Sequence, residues 1–195
     1  MNNVLSWTQG TLSGNACELL AKFATEIPSN GVILDLNCGS GRSTVVMALA
    51  LQTVKRGDAA ILAVDSHITN PLSENPYKEG SIMMLLESLR HFKVANRVIP
   101  IVSPLHQADK LIDKRSANLI VVQSPVTILS SFNEDAVVGG IQLAKYAIRR
   151  GGIILVCCPN PIYRAQLDRI LAHQFYLDGA ETVCDTSEIV GFRYE

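Results

Sequence analysis

The sequence lacks an apolar segment long enough to cross a membrane. Its longest apolar run, Val45 to Leu51, is far shorter than the roughly 20 residues that a spanning helix requires. The first residues, Met1 to Trp7, have neither the basic region nor the long apolar stretch of a signal peptide. We therefore expect a cytoplasmic protein with no membrane partner.

The sequence also lacks an excess of charge of either sign. It has 17 Lys and Arg residues against 18 Asp and Glu residues, which gives a formal net charge of -1 and a pI of about 6.4. No basic stripe is visible along the chain. Binding to a nucleic acid depends largely on cations that neutralise phosphates, so a nucleic acid is not the expected partner.

Metal-site spacing is missing from the cysteines. Five are present, and the adjacent pair Cys157-Cys158 does not have the C-x-x-C spacing of a zinc or redox site. Their odd number and scattered positions favour buried, reduced thiols, which agrees with a cytoplasmic location.

Apolar runs that alternate with helical patterns fill most of the chain. The 195 residues predict one domain, residues 1–195, with residues 1–30 as an N-terminal helical cap. Strands are predicted at 32–36, 60–65, 98–102, 119–122 and 153–157, and two more in the tail from 175 to 195. Helices are predicted at 13–26, 41–55, 80–92, 105–112, 134–149 and 163–173. This order predicts an α/β fold, a doubly wound and mostly parallel sheet with helices on both faces.

The most informative segment joins the first strand to the next helix. Asp35 ends an apolar run, and a turn with Gly39, Ser40 and Gly41 leads directly into the helix. Glycines in a strand–turn–helix unit let the backbone approach a nucleotide-like ligand closely. The third glycine of the dinucleotide fingerprint is replaced by Thr44, so the match to a nicotinamide or flavin site is partial.

Residues 35–41, which read DLNCGSG, resemble the D/E-x-G-x-G-x-G signature of class I S-adenosylmethionine-dependent methyltransferases. The resemblance extends over nearly the whole chain: it includes the helix before the first strand, Asp65 at the end of the second, Gly151-Gly152 before the fifth, and a closing antiparallel hairpin. It implies a Rossmann-like, seven-stranded sheet in which one late strand runs antiparallel. Asn37 replaces the first glycine, and asparagine tolerates a left-handed backbone better than other non-glycine residues.

The resemblance also implies a site for S-adenosylmethionine. Asp35 would meet the amino-acid end of this cofactor, and Asp65 would accept both hydrogens of its ribose diol. The implied cofactor-binding residues are Asp35, Asn37, Cys38, Gly39, Ser40, Gly41, Asp65, Ser66, Ser103 and Gln123.

A metal-independent transfer of a methyl group to an oxygen or nitrogen of a small molecule is the expected reaction. Gln123 stands where metal-dependent relatives have an acid, and an amide is a poor magnesium ligand. His67 and His106 follow strand ends and are candidate general bases. The loop from Ser66 to Glu79 is a candidate substrate lid, and a homodimer is compatible with the high apolar fraction.

Two alternatives from other classes stay open. One is a nicotinamide-dependent oxidoreductase, which would use Asp65 in the same way. The other is a methyltransferase-like binding module that has lost its chemistry, which the departures at Asn37, Pro104 and Gln123 favour.

Overall fold

The computed structural model of the chain describes residues 2–8, 10–56, 58–67, 82–124, 133–158, 160–176 and 179–195. Its strands are β1 (Val32–Leu36), β2 (Ala60–Asp65), β3 (Val98–Val102), β4 (Ala117–Gln123), β5 (Ile148–Cys157), β6 (Glu181–Asp185) and β7 (Ile189–Arg193). Its α-helices are α1 (Asn2–Trp7), α2 (Gly14–Glu26), α3 (Arg42–Thr53), α4 (Ile82–His91), α5 (Leu105–Ala108), α6 (Glu134–Ala147) and α7 (Arg164–Leu171).

The strands form one seven-stranded sheet in the order β3-β2-β1-β4-β5-β7-β6. Strands β1 to β5 run parallel, and β7 runs antiparallel to both β5 and β6. This confirms the predicted fold, including the C-terminal antiparallel hairpin. Pro100 lies on β3, an edge strand, where a missing backbone N–H is tolerated.

The register brings the carboxyl ends of the parallel strands to one edge of the sheet. Leu36 of β1 lies level with Val64 of β2 and with Val122 of β4. The strand order reverses between β1 and β4, because β2 and β3 lie on one side of β1 and β4 and β5 on the other. In open α/β sheets, the crevice at this reversal is where ligands bind.

Alternate residues of each strand pack into two separate cores. Ile33 belongs to the core under α2, α3 and α4, whereas its neighbour Leu34 belongs to the core under α5, α6 and α7. Asp35 follows Ile33 in this alternation, so its side chain lies on the face that α3 covers. Helices therefore cover both faces of the sheet, as predicted.

Some element boundaries differ from the predictions. Gly151 and Gly152 were expected to separate a helix from β5, but α6 ends at Ala147 and β5 already begins at Ile148, which pairs with Ala117. The last predicted helix is shorter and ends in a π-helical turn at Ala172–Tyr176. Helix α1 falls inside the predicted N-terminal cap but was not predicted as a separate element, because residues 2–7 lack a clear periodicity.

No helix in the described part of the chain is long and apolar enough to span a bilayer. All five cysteines are free thiols, and Cys17, Cys38, Cys157 and Cys158 are buried.

Candidate functional site

The turn after β1 lies at the reversal of strand order and has a left-handed backbone at three positions. The φ angles are 59° at Asn37, 54° at Gly39 and 92° at Gly41. Gly41 is the N-cap of α3, and its amide donates to the carbonyl of Cys38 at 2.9 Å. Residues other than glycine and asparagine rarely adopt positive φ. The shape of the turn therefore explains why asparagine and two glycines occupy these three positions.

Asp65, at the end of β2, is joined directly to this turn. Its Oδ2 accepts a hydrogen bond from the Gly39 amide at 2.9 Å, and its Oδ1 accepts one from the His67 amide at 2.7 Å. Its carbonyl accepts a bond from the Ser103 amide at 3.0 Å. The carboxyl ends of β1, β2 and β3 therefore meet around this one half-buried residue, β1 at its carboxylate and β3 at its main-chain carbonyl.

Asp35 is fully buried, and both of its carboxylate oxygens are engaged inside the protein. Oδ2 accepts from the hydroxyls of Ser43 at 2.7 Å and Thr44 at 2.5 Å, and Oδ1 accepts from Gln123 Nε2 at 3.0 Å. Burial raises the pKa of Asp35, and the hydrogen bonds from Thr44, Ser43 and Gln123 oppose that rise.

Gln123, at the end of β4, ties both sides of the crevice together. Its Nε2 also lies 2.5 Å from Ser43 Oγ, and its backbone carbonyl accepts a hydrogen bond from Asn37 Nδ2 at 2.9 Å. The asparagine therefore combines a tolerated left-handed backbone with a side-chain bridge from the turn to β4.

The space around the turn fits a bound ligand. A Cβ added to Gly39 would meet none of the described residues within 4 Å, so this backbone faces open space among them. Gly41 differs, because a Cβ there would lie 2.4 Å from Leu85 Cδ1 of α4. At the end of β4, the buried Ser124 Oγ has no hydrogen-bond partner among the described residues. The carboxyl edge of the sheet thus has open space at Gly39 and, after the neighbouring strand β4, a buried hydroxyl with no partner among the described residues.

Arg42, the first residue of α3, holds the N-terminal segment over the start of this helix. Its guanidinium donates to the carbonyls of Leu12 at 3.0 Å, Leu5 at 3.2 Å and Thr8 at 2.5 Å. Half-burial lowers the pKa of Arg42. Its role was not predicted from the sequence, because its partners are backbone atoms of a segment with no clear pattern.

The remaining residues of the predicted cofactor site lie at the same edge of the sheet. Cys38 and Ser40 are buried within the turn, Ser66 is half-buried, and Ser103 is buried with its hydroxyl bonded to the Pro104 carbonyl at 3.1 Å. The structure therefore brings the predicted set together at the carboxyl ends of β1 to β4.

The two candidate bases are placed differently. His67 has a φ of 48° and is held by its amide bond to Asp65. His106 is exposed on the single turn of α5, with its Nε2 3.1 Å from Gln107 Nε2. Residues 68–79 of the predicted lid lie outside the described residues.

Ser43 and Thr44 were not predicted as parts of the site. Both hydroxyls stand in the first turn of α3 and satisfy Asp35. Their position, directly after a glycine turn that follows a strand-ending acid, was the available signal. Among the described residues, no group of three or more His, Cys, Asp or Glu side chains could hold a metal ion.

No family model and no curated protein matches this chain. Solved structures do match its fold. A SAM-dependent O-methyltransferase from Thermotoga maritima is 12% identical, with a TM-score of 0.62 over 94% of this chain and 66% of that one. A precorrin-6y C5,15-methyltransferase from Geobacter metallireducens is 12% identical, with a TM-score of 0.64 over 96% and 93% of the two chains.

A third similar structure is the T. thermophilus 16S rRNA N2 G1207 methyltransferase in complex with AdoMet and guanosine. It is 17% identical, with a TM-score of 0.62 over 94% of this chain and 44% of that one. The chain has the Rossmann-like fold of the class I S-adenosylmethionine-dependent methyltransferases.

Proposed function

We propose that this protein binds S-adenosylmethionine at the carboxyl edge of its sheet and transfers the methyl group to an oxygen or nitrogen atom of a small molecule. The observation that carries the proposal is the hydrogen bond between the Gly39 amide and Asp65 Oδ2. It joins the open glycine turn to an acid at the position where a ribose would be held. A structure of the same fold in complex with AdoMet and another in complex with SAH support this choice of cofactor.

Asp65 keeps acceptor capacity for the ribose. An ionised carboxylate offers about four lone-pair sites. Asp65 uses one to accept the hydrogen bond from the Gly39 amide and one to accept that from the His67 amide. The two that are left match the two hydroxyl hydrogens of a diol. Gly39 leaves room for the ligand, and the buried Ser103 donates its amide to the main-chain carbonyl of Asp65.

Asp35 acts as a positioning residue in this proposal. Its oxygens hold Ser43, Thr44 and Gln123, so it fixes the start of α3 and the end of β4 around the turn. The amino-acid end of the cofactor then meets the turn and Asn37 rather than the Asp35 carboxylate itself.

When bound, the cofactor supplies a methyl group that is already activated by its sulfonium. The protein has to align the donor with the acceptor and keep water out, which accounts for much of the acceleration in such reactions. The hydrogen-bonded network around Asp35 gives the crevice a fixed shape. A metal is not part of the proposal, because the amide nitrogen of Gln123 is turned inward at the place where metal-dependent relatives have an acid.

A catalytically inactive binding module is the second candidate. The side chains of Asp35 and Gln123 are hydrogen-bonded inside the protein, so neither is available to act on a methyl acceptor. This arrangement favours the binding module. A nicotinamide-dependent enzyme is disfavoured by Thr44, whose hydroxyl bonds to Asp35 where the fingerprint needs a glycine.

Two measurements test the proposal. Thermal shift with S-adenosylmethionine, S-adenosylhomocysteine and NAD should show stabilisation by the first two ligands only. Mass spectrometry after incubation with methyl donor and a panel of phenols, carboxylates and amines should then show a methylated product. Stabilisation by NAD alone would overturn the cofactor assignment, and tight donor binding without any product would favour the binding module.

A further inference from the structure

The edge of the sheet opposite the candidate site carries a concentration of positive charge. Cations stand in the turns that lead into β2, β3 and β4, in the first residues of β5 and at the end of β7. We call this set the basic edge: Lys55, Arg56, Lys93, Arg97, Lys114, Arg115, Arg149, Arg150 and Arg193. Acidic side chains in the described residues of the same edge are fewer: Glu26, Asp58, Asp113, Glu181 and Glu195.

Most cations of the basic edge have no acidic partner. Arg193 pairs with Glu181 at 3.1 Å, and the other eight make no salt bridge in the described structure. Uncompensated cations on one edge stand out in a chain whose net charge is -1. Helices α2, α3, α4 and α6 also end here, but their dipoles supply only roughly half a negative charge each. The edge remains positive after that compensation.

Three cations, Arg149, Arg150 and Arg193, line a small cavity of about 160 Å³, against one acid, Glu26. Arg149 and Arg150 are both exposed. The positive φ of Gly151, 76°, belongs to the bend that turns the chain from these arginines into the body of β5. This is the part of the basic edge where cations are densest.

We propose that the basic edge binds the phosphate backbone of a single-stranded nucleic acid. Six of its nine cations are arginines, whose planar fork matches phosphate oxygens in two-point hydrogen bonds. From β3 to β7 the edge crosses five strand spacings, about 24 Å at roughly 4.8 Å each. A row of that length accommodates several consecutive phosphates.

This surface is separate from the methyl-donor site, and the proposal does not rest on the proposed function. The strand would dock on the amino ends of the parallel strands, whereas Asp65 and the glycine turn lie at their carboxyl ends. No basic stripe is visible in the sequence because the cations come from five distant segments, which only the sheet brings to one edge.

Fluorescence anisotropy of a fluorescein-labelled oligouridine of about 20 nucleotides tests the proposal. The wild-type protein should bind at low salt, with affinity falling as NaCl rises. Arg149→Glu and Arg150→Glu should each weaken binding by about tenfold and reduce the slope of log K against log[salt] by about 0.7. Arg149→Gln and Arg150→Gln, which remove the charge without reversing it, should each weaken binding less than the glutamate variant at the same position.

Lys22→Glu is the control, because Lys22 is an exposed cation on α2 that lines a different groove, formed with the turn between β6 and β7. It should bind the oligouridine like the wild type. Three results would overturn the proposal: no binding by the wild-type protein at low salt, an equal loss in Lys22→Glu, or binding to phosphatidylserine vesicles with none to the RNA. Circular dichroism of every variant separates a loss of contact from a loss of fold.

Discussion

The Gly39 amide donates a hydrogen bond of 2.9 Å to Asp65 Oδ2, although 26 residues separate the two along the chain. This bond joins the turn after β1 to the end of β2. A carboxylate that is already oriented by two backbone amides needs no rearrangement to receive a ligand. Preorganisation of this kind lowers the cost of binding.

Gly39 and Gly41 should respond differently to alanine. Gly39→Ala places a Cβ in open space, so the free energy of unfolding should fall only by the left-handed penalty of about 1–2 kcal/mol. Affinity for S-adenosylhomocysteine should nevertheless fall at least tenfold, because the new methyl fills the space proposed for the ligand. Urea denaturation and isothermal titration calorimetry measure the two effects.

Gly41→Ala is the comparison. Its Cβ would lie 2.4 Å from Leu85 Cδ1, at a φ of 92°. Overpacking adds about 1–3 kcal/mol to the backbone penalty, so this variant should be clearly less stable than Gly39→Ala. Equal stability of the two variants would contradict the packing of α4 against the turn.

Asn37→Gly tests the bridge across the crevice. Glycine accepts the φ of 59° without strain, so the contact that the variant removes is the hydrogen bond to the Gln123 carbonyl, and the greater freedom of glycine in the unfolded chain adds to the loss. We expect a loss of about 1 kcal/mol in the free energy of unfolding. Asn37→Val should lose more, since a β-branched residue is strained at positive φ. A glycine variant as stable as the wild type would contradict the expected loss.

Asp35 should make stability depend on pH with a defined sign. The pKa of Asp35 is raised in the folded protein, mainly by burial. Its contribution to the free energy of unfolding is therefore fully present below the pKa of the unfolded state and is lost as pH rises through the pKa of the folded state. The free energy of unfolding of the wild type relative to Asp35→Asn should therefore fall as pH increases above about 4.

The amide group that Asp35→Asn introduces would face Gln123 Nε2. This contact changes the stability of the variant by the same amount at every pH, so the quantity to compare is how the difference in unfolding free energy changes with pH. Chemical denaturation of both proteins from acid to neutral pH gives the difference. A wild type that gains stability relative to the variant over this range would contradict the buried network.

The cysteines should be unreactive in the folded protein. Burial raises the pKa of Cys38 and Cys157 well above the ordinary value, and it raises the pKa of Cys184 to about 11. Since the thiolate is the reactive form, labelling by an aromatic disulfide at neutral pH should be slow until denaturant is added. Rapid labelling of a thiol in the native protein would contradict this burial.

The sequence was sufficient to predict the sheet, because buried parallel strands are continuous apolar runs bounded by turns. It was also sufficient to place Asp65 and the glycine turn at one edge. It could not show that Gln123 bonds to Asp35, since 88 residues separate them and only the strand order places them side by side. The basic edge escaped prediction for the same reason, while the start of β5 was missed because Gly151 and Gly152 look like a helix end.

The central claim is that the glycine turn and Asp65 bind the same methyl-donor molecule. Isothermal titration calorimetry with S-adenosylhomocysteine should show one saturable site on the wild-type protein. Asp65→Ala should lower the affinity by at least about 100-fold, since two hydrogen bonds to a charged group together contribute about 3–6 kcal/mol. Asp58→Ala, an exposed acid at the opposite edge, should bind like the wild type. No heat of binding to the wild type, or equal affinity of Asp65→Ala, would contradict the claim.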